Sequence, residues 1–328
     1  MIPFGLLILG IALLYIGGEN LVRSSVVLAD RFGVSELVIG LTVVAFGTSS
    51  PELFVSVLAV FQGRGSVSLG NVLGSNIINI AVVLGFSGLV AAIPLPKDIR
   101  RREVPLILLS YCAAALLLPA AAAGVGATRL VGLFLVALLI GYVLYQYRLG
   151  NQGDESLTAE AQAIAVGESK ADAETDQKIL KPLVVAAVAV AALAGGGHLL
   201  VENASYFARE VFGVSERFIG ITIVAIGTSA PELATSIVAA ARGRPSVVLG
   251  AIIGSNVFNT LLVLGVASLS GGFGVLESGF GIDFAVMVSV TLLLWGYSWR
   301  GKLPRLGGLS FLACYAMYVV FLLHTSGT

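Results

Sequence analysis

Most of this chain is a succession of apolar runs about as long as a bilayer is thick, each ended by charged or turn residues. A helix needs about 20 predominantly apolar residues to cross the hydrocarbon core. Ten such runs are legible, at roughly 3–22, 37–60, 67–92, 104–123, 128–147, 182–204, 217–241, 247–270, 282–299 and 306–324. The pattern predicts an all-α polytopic membrane protein with ten transmembrane helices, partnered by the lipid bilayer. Composition agrees: of 328 residues 57% are hydrophobic and 12% charged, against roughly 25% charged in soluble domains. With a formal net charge of zero and no basic domain, the chain is not a water-soluble enzyme, a nucleic-acid binder or a disordered protein. Cys112 and Cys314 lie in separate apolar runs, which argues against a disulfide or a Cys-based metal site. Met1-Ile2-Pro3-Phe4 brings no basic n-region, so the first run reads as a membrane helix and not a removable signal.

The one long polar stretch, 148–181, separates runs five and six and holds seven acids: Asp154, Glu155, Glu160, Glu168, Asp172, Glu174 and Asp176. It lacks the alternating ligand and Gly pattern of a compact calcium loop and reads as a solvated linker between residues 1–147 and 182–328. Lys and Arg placement orients the whole. Fifteen of the 19 fall in loops on one side, and Arg64, Arg129, Arg209 and Arg217 on the other. The positive-inside rule then puts both termini outside the cell membrane and the linker in the cytoplasm.

The chain also repeats itself. Shifted by 180 residues, Gly33–Gly85 lies on Gly213–Gly265 without a gap, with about 30 of 53 positions identical. An odd number of spans, five, separates corresponding helices, so the second copy crosses the membrane in the opposite sense. Two inverted-topology five-helix repeats are the mark of secondary transporters, which bind substrate near the midplane where the repeats meet.

Two segments within each repeat are too polar for their setting. One is Gly47-Thr48-Ser49-Ser50-Pro51-Glu52, matched by Gly227-Thr228-Ser229-Ala230-Pro231-Glu232; the other is Gly74-Ser75-Asn76-Ile77-Ile78-Asn79, matched by Gly254-Ser255-Asn256-Val257-Phe258-Asn259. A carboxylate in the membrane costs several kcal/mol unless paired or liganded and is a functional candidate by default. Thr48, Ser49 and Glu52 share one helix face at i, i+1 and i+4, and Ser75 and Asn79 are four apart. Pro51 lacks an N–H and Gly47 a side chain, so the helix is expected to loosen around Ala45–Thr48 and free backbone carbonyls, as Pro231 and Gly227 do around Ala225. Freed carbonyls are tolerated in a membrane only where they line a cavity or bind something. The donor set is carboxylate, hydroxyl, amide and carbonyl oxygen, without nitrogen or sulfur, which suits calcium or sodium and not zinc, copper or iron. Single hydroxyls in membrane helices commonly serve as interhelical glue; their duplication beside Glu52 and Glu232 singles these out. Asn76 and Asn256 fit packing as well as coordination. Glu19, Glu202 and His198 lie outside the site, His198 as a structural residue or partner of Glu19.

Gly-Thr-Ser-x-Pro-Glu twice, each followed by Gly-Ser-Asn-x-x-Asn, resembles the paired alpha repeats of the calcium/cation antiporter superfamily, most closely the prokaryotic sodium/calcium exchangers. The resemblance implies exchange of cytoplasmic calcium for external sodium by alternating access. It places calcium on Glu52, Glu232 and the carbonyls of Thr48 and Thr228. Sodium is placed on the same glutamates, Ser49, Ser75, Ser229, Ser255 and the carbonyls of Ala45 and Ala225, with Asn79 at the centre. The archaeal pattern carries Asp where this chain has Asn259, so two fixed negative charges remain here, enough to neutralise one calcium or two sodium ions. The proton-coupled branch typically lacks the Pro before its Glu, so Pro51 and Pro231 favour sodium. No enzymatic chemistry and no cofactor are expected, and no phosphate-binding Gly-rich loop with Lys suggests an ATP-driven pump. The rival readings are a proton/calcium antiporter of the same fold, a cation channel, and a calcium-sensing scaffold resting on the linker acids.

Overall fold

The computed structural model describes residues 2–32, 35–151, 179–207, 225–273, 276 and 279–326. The first half contains helices α1 (Ile2–Phe32), α2 (Leu37–Thr48), α3 (Ser50–Phe61), α4 (Gly65–Val90), α5 (Ile99–Ala123) and α6 (Val125–Asn151). The second contains α7 (Leu180–Phe207), α8 (Ala225–Thr228), α9 (Ala230–Ala241), α10 (Pro245–Ser270), α11 (Phe280–Trp299) and α12 (Arg305–Ser326). Two short strands, β1 (Ile93–Pro94) and β2 (Lys302–Leu303), pair antiparallel.

The protein is a mostly helical polytopic membrane protein. Among the described residues six helices are long and apolar enough to cross a bilayer, and seven if the bent α2–α3 pair is one span. The Leu180–Gly196 part of α7 and the whole of α9 are shorter apolar segments. The expected start of the seventh run, 217–224, lies outside the described residues, as does most of the acidic linker.

Two boundaries differ from the sequence expectation. Helix α1 continues ten residues past its apolar run, so Arg23 and Arg31 sit on a helix and not in a loop. The cause is a buried stripe that persists at helical spacing: Leu21, Ser25, Leu28 and Ala29 are all covered. Likewise α6 runs through Arg148 to Asn151 and α7 begins at Leu180, trimming the linker at both ends.

Burial ranks the helices. In α4 and α10, which the 180-residue shift superimposes, 83% and 94% of the apolar window is buried; in α6 and α12 it is 28%. The outer helices instead expose Leu130 (70%), Met317 (65%) and Leu306 (78%), an apolar rim far larger than a soluble surface carries. Both inner helices contain a π-helical turn at the same register, Asn79–Val83 and Asn259–Val263.

Glycines set how closely α2 crosses α10. A Cβ on Gly250 would lie 2.6 Å from the Leu37 carbonyl oxygen and 2.8 Å from the Gly40 Cα, and one on Gly254 would lie 2.6 Å from the Ala45 Cβ. Only hydrogen at these positions permits backbone-to-backbone contact. That contact carries Ala45–Thr48 of one half onto Ser255 of the other.

Candidate cation site

The site is built on two matching helix breaks. Helix α2 ends at Thr48 and α3 starts at Ser50, with a 43° bend between them at Ser49 (φ −81°, ψ 1°). In the second half α8 ends at Thr228 and α9 starts at Ala230 around Ser229 (φ −85°, ψ 5°). Pro51 and Pro231 occupy the first turn of the new helices, where a missing N–H is harmless to the helix they begin. The backbone bonds spanning the first break run from Ser49 N–H to the Ala45 carbonyl (3.0 Å) and from Leu53 N–H to the Ser49 carbonyl (3.1 Å). Those spanning the second run from Ser229 to Ala225 and from Leu233 to Ser229, both 3.0 Å.

The loosening is thus distributed differently from the expectation. The Thr48 and Thr228 carbonyls fall outside these bonds. The Ala45 and Ala225 carbonyls stay in the ladder and also accept their own Thr hydroxyls, at 3.5 and 3.3 Å. The π-helical turn lies before Ala45, at Gly40–Val44. The reason is local: proline removes its own N–H and disturbs the carbonyls of the turn just before it, whereas Ala45 still meets the N–H of Ser49.

The side chains pair across the two halves and not within them. Ser229 donates to a Glu52 carboxyl oxygen at 3.3 Å, and Ser49 to Glu232 at 3.5 Å. The Thr48 and Ser255 hydroxyls are 3.3 Å apart, and so are those of Ser75 and Thr228. Eight of the twelve sequence candidates are therefore joined by four reciprocal contacts. Asn79 and Asn259 open the two π-helical turns, fully buried, and neither amide has a hydrogen-bond partner.

The glutamates are fully buried, and the second carboxyl oxygen of each has no hydrogen-bond partner. Two other buried acids, Glu103 and Asp283, have partners within their own half. Glu103 takes Arg102 on one oxygen and Gln146 on the other, each at 3.0 Å, and ties α5 to α6. Asp283 accepts the Tyr318 hydroxyl at 2.6 Å. Glu19, midway along α1, is paired with Arg242 of the α9–α10 turn. Among the described residues only Glu52 and Glu232 face each other's half through neutral hydroxyls.

Asn76 and Asn256 turn away from this cluster. Asn256 accepts the Tyr111 hydroxyl at 2.8 Å and donates to the Ile252 carbonyl, while Asn76 donates to Thr260 at 2.9 Å. Both act in packing.

One contributor escaped the sequence reading. Asn71 donates to Ser56 at 3.0 Å and to the Glu52 carbonyl at 3.5 Å, and accepts the Thr228 hydroxyl at 3.2 Å. It links the turn that carries Glu52 to the opposite half. The signal was present as a polar stripe, Asn71, Ser75 and Asn79, at i, i+4 and i+8. It was masked because the second copy has Ala251 at that register.

Chemically the cluster offers two carboxylates with hydroxyl, amide and carbonyl oxygens, and among the described residues no three His, Cys, Asp or Glu converge. Such a set suits a hard cation held largely by neutral oxygens.

Comparison with known proteins places this arrangement. A family model described as "Sodium/calcium exchanger protein" matches residues 2–148 and 181–324, leaving out little but the polar linker. The chain is 33% identical over 305 residues to the inner membrane protein YrbG of Escherichia coli K12, covering 92% of this chain and 90% of that one. It is 30% identical over 351 residues to the sodium/calcium exchanger MaX1 of Methanosarcina acetivorans, covering 98% and 99%. A solved structure of the sodium-calcium exchanger NCX_Mj, soaked with 2.5 mM Na+ and 10 mM Sr2+, superimposes with a TM-score of 0.79 at 31% identity, covering 97% of this chain and 98% of that one. By sequence and fold, this chain belongs to the sodium/calcium exchanger protein family, a family of transporters and not of enzymes.

Proposed function

We propose that the protein is a secondary antiporter that exchanges sodium for calcium at the Glu52–Glu232 cluster. The observation that carries this reading is the pair of fully buried carboxylates, each touched by a hydroxyl from the opposite half and, among the described residues, by no cation. Burying an uncompensated carboxylate is costly, and a bound cation removes that cost. Two negative charges are balanced by one calcium or by two sodium ions, so the same residues accept either load but not both, which is the electrostatic basis of exchange. Calcium is assigned to Glu52, Glu232 and the carbonyls of Thr48 and Thr228. Sodium is assigned to those glutamates with Ser49, Ser75, Ser229, Ser255 and the Ala45 and Ala225 carbonyls, each of which retains a second lone pair. Asn79 and Asn259 stand at the centre.

The architecture proposed around the site is ten transmembrane helices in two inverted five-helix repeats, residues 1–147 and 182–328. Cross-half pairing supports it, because the Ser229–Glu52 and Thr48–Ser255 contacts are mirrored by Ser49–Glu232 and Ser75–Thr228. Alternating access then amounts to the two halves exchanging their conformations about the shared cluster. Calcium uptake into proteoliposomes tests the coupling: it should follow an imposed sodium gradient and stay at background with only a proton or potassium gradient. Uptake driven equally by the proton gradient would replace sodium with protons as the coupling ion.

Both termini are proposed to face outward in the cell membrane and the acidic linker inward. A consistent sidedness supports this: β1 and β2 join two loops assigned to the inner face, while Gly65 lies against the Phe273 carbonyl on the outer. In a background with Cys112 and Cys314 replaced by Ser, an impermeant thiol reagent applied outside should label Ser326→Cys and spare Ser156→Cys. Labelling of Ser156→Cys alone would invert the topology.

A further inference from the structure

We propose that the protein carries a binding site for an anionic phospholipid headgroup at the inner ends of α5, α11 and α12, separate from the cation cluster. Two loops some two hundred residues apart build it. Pro94 pairs with Lys302 and Ile93 with Leu303, Leu95 N–H bonds the Gly301 carbonyl at 2.8 Å, and Arg305 reaches the Val90 carbonyl at 3.3 Å. Trp295 adds a bond from its indole N–H to the Arg100 carbonyl at 3.0 Å. These links gather six cations, Lys97, Arg100, Arg101, Arg300, Lys302 and Arg305, on one face.

The acids of the same face are already occupied. Arg102 takes both Asp98, at 3.7 Å, and Glu103, at 3.0 Å. Lys97, Arg101 and Lys302 are exposed and have no acidic partner among the described residues. Among the described residues the patch therefore presents net positive charge, its two acids being paired with Arg102.

Its depth indicates which anion it meets. Arg100 stacks its guanidinium over the Trp299 ring, 4.3 Å from the centroid, and Trp299 is itself 65% exposed. Leu306, next to Arg305, is 78% exposed. An exposed indole and a bare leucine beside a set of cations belong where hydrocarbon gives way to headgroups. A soluble anion needs neither, whereas a phospholipid matches both, with its phosphate on the cations and its acyl chains along Leu306. Basic pockets between membrane helices on the cytoplasmic side commonly take acidic headgroups, and each Lys or Arg near an anionic surface strengthens binding by about fivefold.

The test uses the full-length protein, delipidated in detergent and titrated with dioleoyl phosphatidylglycerol or dioleoyl phosphatidylethanolamine, with retained lipid read by native mass spectrometry. Preferential retention of phosphatidylglycerol is expected. The variant Lys97→Gln/Arg101→Gln/Lys302→Gln should weaken it by on the order of a hundredfold, and the charge-preserving Lys97→Arg/Arg101→Lys/Lys302→Arg should keep it. Neutralising Arg148 and Lys181, assigned to the same face but outside the patch, should leave it unchanged. The proposal is overturned if the triple Gln variant retains the lipid like its parent, if the Arg148/Lys181 variant loses it equally, or if millimolar inorganic phosphate displaces the lipid. The readout is lipid retention alone, so it stands or falls independently of the ion-exchange assignment.

Discussion

Replacing either glutamate with glutamine, Glu52→Gln or Glu232→Gln, is expected to abolish sodium-driven calcium uptake while leaving the protein folded. Each carboxylate is fully buried, and on the proposed assignment each supplies one of the two charges that balance calcium. At an effective dielectric of about 20, two unit charges 4 Å apart interact by about 4 kcal/mol, and a divalent ion doubles that. Losing one such interaction corresponds to more than a thousandfold in calcium affinity, which takes transport below detection. Folding should survive because glutamine is close in shape to glutamate and its amide oxygen still accepts the hydroxyl of Ser229 or Ser49 from the opposite half. A neutral amide also removes a buried charge, so a monodisperse peak in size-exclusion chromatography at the parental position is expected. Calcium uptake near the parental rate in either variant would place the glutamates outside the ion pathway.

Asn71→Ala should give the second largest effect, and a different kind. Asn71 holds the Thr228 hydroxyl from the other half while donating to the Glu52 turn, so on the proposed assignment it fixes how Thr228 presents its carbonyl to the ion. Alanine is sterically acceptable at this register, since Ala251 occupies the corresponding place in the second copy and is fully buried there. Removing the amide strips Ser56 and Thr228 of a buried partner, a loss of about 1–3 kcal/mol. The expected result is a rise of about tenfold in the calcium concentration for half-maximal uptake, with the glutamates and their charge intact. That separates positioning from charge: the glutamate variants lose transport at any calcium concentration, and Asn71→Ala regains it when calcium is raised. An unchanged calcium dependence in Asn71→Ala would show that the Thr228 carbonyl needs no such support.

The sequence by itself determined the solvent, the duplication and the chemistry of the donor set. Apolar runs of bilayer length and twice-occurring Glu, Ser, Thr and Asn within them are properties of the linear chain, since hydropathy and helical periodicity act over one or two turns. Runs such as 67–92 and 247–270 were legible for that reason, and both fall on helices. The same locality explains the misplaced end of α1: hydropathy drops at Glu19 and Arg23, but the helix continues because Leu21, Leu28 and Ala29 find cover in neighbouring helices that the local pattern does not name.

Only the tertiary structure decided who faces whom. Ser49 stands three residues from Glu52, yet its hydroxyl reaches Glu232, 183 positions away, because the 43° break at Ser49 turns the chain and the Gly40–Gly250 crossing brings the second half within contact distance. Asn71 gained its role in the same way, through Thr228, and for Asn76 and Asn256 the choice between packing and coordination went to packing, on Thr260 and Tyr111. The basic face where α5 and α12 begin and α11 ends is gathered by the pairing of β1 with β2. Sequence spacing specifies what lies along one helix. Which helix lies across from it depends on how closely two backbones can approach, and here hydrogen in place of a side chain at Gly40, Gly250 and Gly254 sets that distance.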